Sequence, residues 1–214
     1  MAHGSRGQRE TEMGDGGSGA RAGSRGALVA ALLAWGAAAA AMGATGIVAG
    51  SPIPPPFVVV GLIAAGIAAW AASRRVRWAV RAVPLSALVA LHLVRFVGAW
   101  FIVLYRRGEL PFAFAVPGGW GDIVAAAAAA GLLAGAVPAR TASRRRVVLA
   151  WNAIGLLDIA FVVATAARLY LADPAQLAPL TRLPLSLLPT YVVPLIVLSH
   201  LAIFARLRSP HAES

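Results

Sequence analysis

The sequence predicts an all-α fold, a polytopic transmembrane bundle of six spans with both termini in the cytoplasm. Three observations predict it. Of the 214 residues, 59% are hydrophobic and only 13% are charged, about half the charged share of a soluble domain. The apolar residues are gathered into six runs with short polar breaks between them. The arginines crowd into alternate breaks.

Mean hydropathy is +0.76. A chain of this length cannot hide so much apolar surface inside a water-soluble fold, because surface-to-volume scaling leaves too much of it outside. Lipid must therefore solvate most of the protein. A span needs about 20 apolar residues to cross a hydrocarbon core of about 30 Å. The runs that qualify are 27–50, 56–73, 83–105, 121–138, 147–168 and 184–206, in a transmembrane domain covering 27–208. All six must be helices, since an isolated strand leaves its backbone unpaired in lipid. Residues 1–26, rich in Gly, Ser, Arg and Glu without apolar periodicity, read as a disordered cytoplasmic tail. Residues 209–214 read as a second, short cytoplasmic tail. The first run is Ala-rich enough to suggest a signal peptide, but it exceeds the usual apolar region of about 7–15 residues and follows a long polar stretch.

Orientation follows from the arginines, because positive charge stays on the cytoplasmic side. All 19 basic residues are arginine, and they set the net charge of +11. The N-tail (Arg6, Arg9, Arg21, Arg25), the break after the second run (Arg74, Arg75, Arg77, Arg81), the break after the fourth (Arg140, Arg144, Arg145, Arg146) and the C-tail (Arg206, Arg208) hold fourteen. The opposite side holds four: Arg106, Arg107, Arg168 and Arg182. Tyr105, Trp120 and Tyr170 on the outer side, with Trp70 and Trp78 on the inner, suit the aromatic belts of an interface. Arginine clusters set between apolar runs are not a nucleic-acid footprint, and no nucleic-acid partner is expected.

The absence of cysteine removes disulfides, thiolate metal sites, Fe–S clusters and cysteine nucleophiles. No HExxH, GxSxG, phosphate-loop or dinucleotide pattern is present. Gly46 with Gly50, and Gly131 with Gly135, have the spacing that lets helices approach closely in lipid. They suit internal packing or a homo-oligomer face. Pro84, Pro189 and Pro194 are expected to kink spans three and six. The outer connections 110–122 and 171–184 mix proline with hydrophobes and read as segments folded over the bundle.

Ionisable groups at mid-membrane are costly and mark function by default. Arg95 is the thirteenth of 23 residues in its run and Asp158 the twelfth of 22. Both runs go from inside to outside, so the two reach one depth and are expected to pair. The pair either locks two helices together or opens as a proton- or ion-coupled site. His92 shares the helical face of Arg95, and Asn152 and His200 fall at similar depth, so these five residues are expected to form one polar cluster. Clustering is the ordinary outcome for buried polar groups, with or without a ligand. His92 and His200 are also candidates for axial ligands of haem b. Otherwise no metal and no cofactor are expected. Glu109 and Asp122 are placed at the outer mouth, with Asp122 as the N-cap of span four.

Three strings, RFVGAWFIVLYRRGELPFAFAVPGGWGD, WNAIGLLDIAFVVA and PLSLLPTYVVPLIVLSHL, resemble a loose group of small, uncharacterised bacterial multi-pass membrane proteins over about residues 90–206. The resemblance implies a bacterial inner-membrane protein and carries over no catalytic residue. It groups Arg95, Gly98, Gly108, Pro111, Asp122, Asn152, Asp158, Pro189, Pro194 and His200 as one recurring pattern. Three functions fit the sequence: an accessory or sensor-like subunit contacting a partner membrane protein, a small transporter or channel around Arg95 and Asp158, or a membrane-embedded enzyme or haem protein.

Overall fold

The computed structural model describes residues 6–208, and every element among them is helical. Six helices are long and apolar enough to cross a membrane: span one Gly26–Ala44, span two Pro55–Ala72, span three Leu85–Arg106, span four Phe112–Gly135, span five Ala142–Ala172 and span six Leu188–Arg208. Spans four and six are the most buried and span one the least.

The ends of the spans follow local chemistry. Span one closes a longer helix, Arg6–Ala44. Residues 6–26, expected as a disordered tail, are therefore helical. No proline interrupts 6–44, and extending a formed helix needs no new nucleus. Residues 1–5 and the expected tail at 209–214 lie outside the described residues. Span one stops at Ala44 because Gly46 takes a left-handed φ of 74°, the usual device for ending a helix. Gly46 and Gly50 thus lie beyond the span, and neither approaches a neighbour.

Span two opens with two prolines in its first turn, where a missing N–H costs nothing. A short helix, Arg74–Ala82, follows, with the Ser73 hydroxyl accepting from the Val76 N–H at 3.3 Å. Arg77 turns back to donate to the Trp70 carbonyl at 3.1 Å, satisfying a C-terminal acceptor of span two. Pro84 stands before span three as its cap, so it does not kink the helix. Midway, Leu91–Val97 tighten into a 3-10 helix.

Span four begins at Phe112, after Pro111, and not at 121. The stretch 112–122, expected as a connection folded over the bundle, is helix. Pro117 removes one donor but does not break it. The real connection is short and closes on Gly108, at φ 74°. After span five, the turn Pro174–Thr181 inserts Leu177 and Leu180 into the core beside Phe101 and Phe114.

Span six opens with a π turn, Leu188–Val192, before its α-helical part. Pro194 has no N–H to give the Thr190 carbonyl. Trp35 of span one supplies it, with Nε1 donating to that oxygen at 2.9 Å. The Trp35 and Tyr191 rings meet edge to face, with centroids 5.0 Å apart. Spans three and four cross backbone to backbone, because a Cβ on Gly119 would stand 2.6 Å from the Gly98 carbonyl oxygen. Gly131 and Gly135, read from sequence as a packing pair, meet nothing within 4 Å. In lipid the close contact of Gly98 and Gly119 replaces the hydrophobic drive of a soluble core.

Candidate functional site

Two apolar clusters fill the bundle, one built around Phe101, Phe114, Ile159 and Ile196, the other around Val89, Ala129, Val148 and Ile203. In each of spans three to six, one group of polar residues (His92 and Arg95, Asp122, Asn152 and Asp158, Ser199 and His200) falls in the chain between a member of one cluster and a member of the other. The result is a polar layer between two apolar ones.

The 3-10 winding of span three sets His92 and Arg95 in line, since side chains three apart eclipse in that helix. Arg95 is 1% exposed. Its Nε donates to Oδ1 of Asp122 in span four at 2.7 Å. Its Nη1 donates to the Gly155 carbonyl in span five at 3.1 Å. Its Nη2 donates to Oδ2 of Asp158, also in span five. One guanidinium therefore ties three spans together.

Glycines make this possible. A Cβ on Gly121 would collide with the carboxylate of Asp158. A Cβ on Gly155 would stand 2.9 Å from Cε1 of His200. Asp122 is 4% exposed, whereas the side chain of Asp158 keeps 20% of its surface accessible.

Below Arg95, His92 packs on Trp151 with ring centroids 4.9 Å apart and on His200 at 4.3 Å. The bonding network assigns both tautomers. Ser199 donates its hydroxyl proton to the Ile196 carbonyl at 2.7 Å, so it accepts from His92 Nε2–H at 2.9 Å. Asn152 Nδ2 donates to the His200 carbonyl at 3.0 Å, which leaves its Oδ1 to accept from His200 Nδ1–H at 2.8 Å. A neutral imidazole has one donor and one acceptor nitrogen. His92 Nδ1 and His200 Nε2 are therefore the lone pairs, and neither has a partner among the described residues.

The five residues read from the sequence as one polar cluster (Arg95, Asp158, His92, Asn152 and His200) do meet. Asp122 joins them, and this corrects its placement. It is the eleventh residue of span four rather than an N-cap at the mouth, because the helix starts at Phe112. Glu109 stays exposed in the connection after span three, about 15 Å away along the helix axis by its rise per residue. The two carboxylates share no site. Haem b does not fit the histidines. A porphyrin would have to lie between the two rings, which already touch at 4.3 Å. Among the described residues, no group of three or more histidine or carboxylate side chains is placed to hold a metal ion.

Residues 52–208 match a family described as Domain of unknown function (DUF8737). No curated protein and no solved structure matches the chain.

Proposed function

We propose that this chain, which belongs to the DUF8737 family, is an accessory or sensor-like protein of the cell membrane with no catalytic chemistry of its own. Both termini lie in the cytoplasm in this reading, supported by the arginine bias of fourteen to four. The resemblance of residues 90–206 to small bacterial membrane proteins supports an inner-membrane location. The bilayer is its constant partner. The exposed face with Gly131 and Gly135 is where a second copy or another membrane protein would meet it.

One observation carries the reading: Arg95 is held by carboxylates from two different spans. Formally the cluster has one positive charge against two negative. Hydrocarbon penalises an uncompensated charge heavily, so the cluster is balanced only when a proton or another cation joins it. The packing of spans three, four and five is then tied to what reaches the cluster, which is the requirement for a sensor. A transporter reading shares this core, and the cavity ending on Arg95 and Asp122 favours keeping it second.

Asp158→Asn tests the surplus charge. The amide keeps the shape and leaves Arg95 one carboxylate. Its thermal midpoint in detergent is expected at or above that of wild type, whereas Arg95→Gln is expected far below. A fall for Asp158→Asn as deep as that for Arg95→Gln would mean that the second carboxylate is simply a structural partner.

A further inference from the structure

A cavity of about 60 Å³ lies among spans two to six. That is space for several water-sized groups, at about 10–15 Å³ each. Water is a poor occupant, because it needs two or more polar partners and the walls are almost wholly apolar. Phe101, Phe114, Val162 and Ile196 form much of them, and the polar floor is Arg95 and Asp122. The occupant must therefore carry an apolar body and one polar head.

Charge decides the head. The ionisable side chains gathered at the floor are His92 and Arg95 from span three, Asp122 from span four, Asp158 from span five and His200 from span six. Span two has none. An anionic head would add to a cluster already one negative charge in surplus, and a neutral head would leave that surplus in place. A cation corrects it. Asp122 holds Arg95 through Oδ1, and it is one of the residues lining the cavity. The Phe101 and Phe114 rings, 5.3 Å apart at 48°, line the same space, and aromatic faces attract cations.

We infer that the cavity binds a lipophilic organic cation, with an ammonium-type head against Asp122 and its apolar body along Phe101, Phe114, Val162 and Ile196. The inference rests on the surplus charge proposed above. A proton and the organic cation satisfy the same deficit, so each displaces the other.

The test is equilibrium dialysis of the full-length protein in detergent with butylammonium and, separately, butanol, whose size suits a cavity of about 60 Å³. Saturable binding of the ammonium, with the alcohol roughly tenfold or more weaker, is expected. Binding should weaken as the pH moves from mildly alkaline to mildly acidic. Ala166→Phe fills the cavity away from the charges and is expected to abolish binding while the thermal midpoint holds. Equal binding of ammonium and alcohol overturns the proposal, as does the lack of saturable ammonium binding. The two readings fail separately. A stable Asp158→Asn protein beside a wild type that binds no ammonium sinks the ligand and spares the surplus charge. An Asp158→Asn protein as damaged as Arg95→Gln sinks the surplus, and an ammonium site persisting in wild type then rests on Asp122 alone.

Discussion

The indole Nε1 of Trp35 donates to the Thr190 carbonyl at 2.9 Å, the oxygen that Pro194 leaves without a helical donor four residues on. Span one, the least buried of the six, is thus fastened to span six at a defect in span six. Gly36 lies flat under the Tyr191 ring, and Gly43 under Leu183 and Ser186.

Trp35→Phe removes the donor and keeps an aromatic ring. It should cost about 1–3 kcal/mol, the usual penalty for a buried acceptor left unpaired. In a Pro194→Ala background the new N–H can reach Thr190, so the same change should cost clearly less. Unfolding of the four proteins of this cycle in detergent checks it, and equal costs in both backgrounds would show that the bond does not compensate the proline.

Gly119→Ala should be among the most damaging of the glycine substitutions, because its methyl group meets the Gly98 carbonyl oxygen, a backbone atom that cannot swing aside. Overpacking of this kind costs roughly 1–3 kcal/mol or more. Gly131→Ala in the same helix, with nothing within 4 Å, should stay within about 0.5 kcal/mol of wild type. Thermal midpoints of the two variants, side by side, decide the matter.

The tautomers are open to nitrogen NMR of histidine-labelled protein. His92 is expected to carry its proton on Nε2 and His200 on Nδ1, as Ser199 and Asn152 dictate. In Asn152→Ala the His200 assignment should be lost while that of His92 stays. Reversed tautomers in the wild type would contradict the bonding network.

Much of this was legible in the sequence, for physical reasons that differ by element. Apolar run length found all six spans, because the bilayer fixes how many residues must be apolar. The meeting of Arg95 and Asp158 followed from depth alone, since two helices running the same way bring equal positions to equal heights. Asp122 was missed for one reason: Pro111 and Pro117 made 110–122 look like a connection. Proline is at home at the start of a helix, and with span four opened at Phe112 the aspartate falls at mid-span. The packing glycines could not be told apart by spacing. Gly131 and Gly135 have the right interval and touch nothing, while Gly98 and Gly119 lie on different helices and touch each other. Which glycine faces a neighbour depends on helix rotation, and apolar runs without a polar face leave rotation unspecified.

The most direct measurement compares the thermal midpoints of wild type, Arg95→Gln and the triple variant Arg95→Gln, Asp122→Asn, Asp158→Asn in one detergent. Arg95→Gln alone strands two carboxylates in the core and is predicted to lose roughly 3–5 kcal/mol. The triple variant strands none and should recover most of that loss. If Arg95→Gln unfolds no more easily than Arg107→Gln, an exposed position, then Arg95 does not neutralise these carboxylates and the charge cluster is not the centre of this protein.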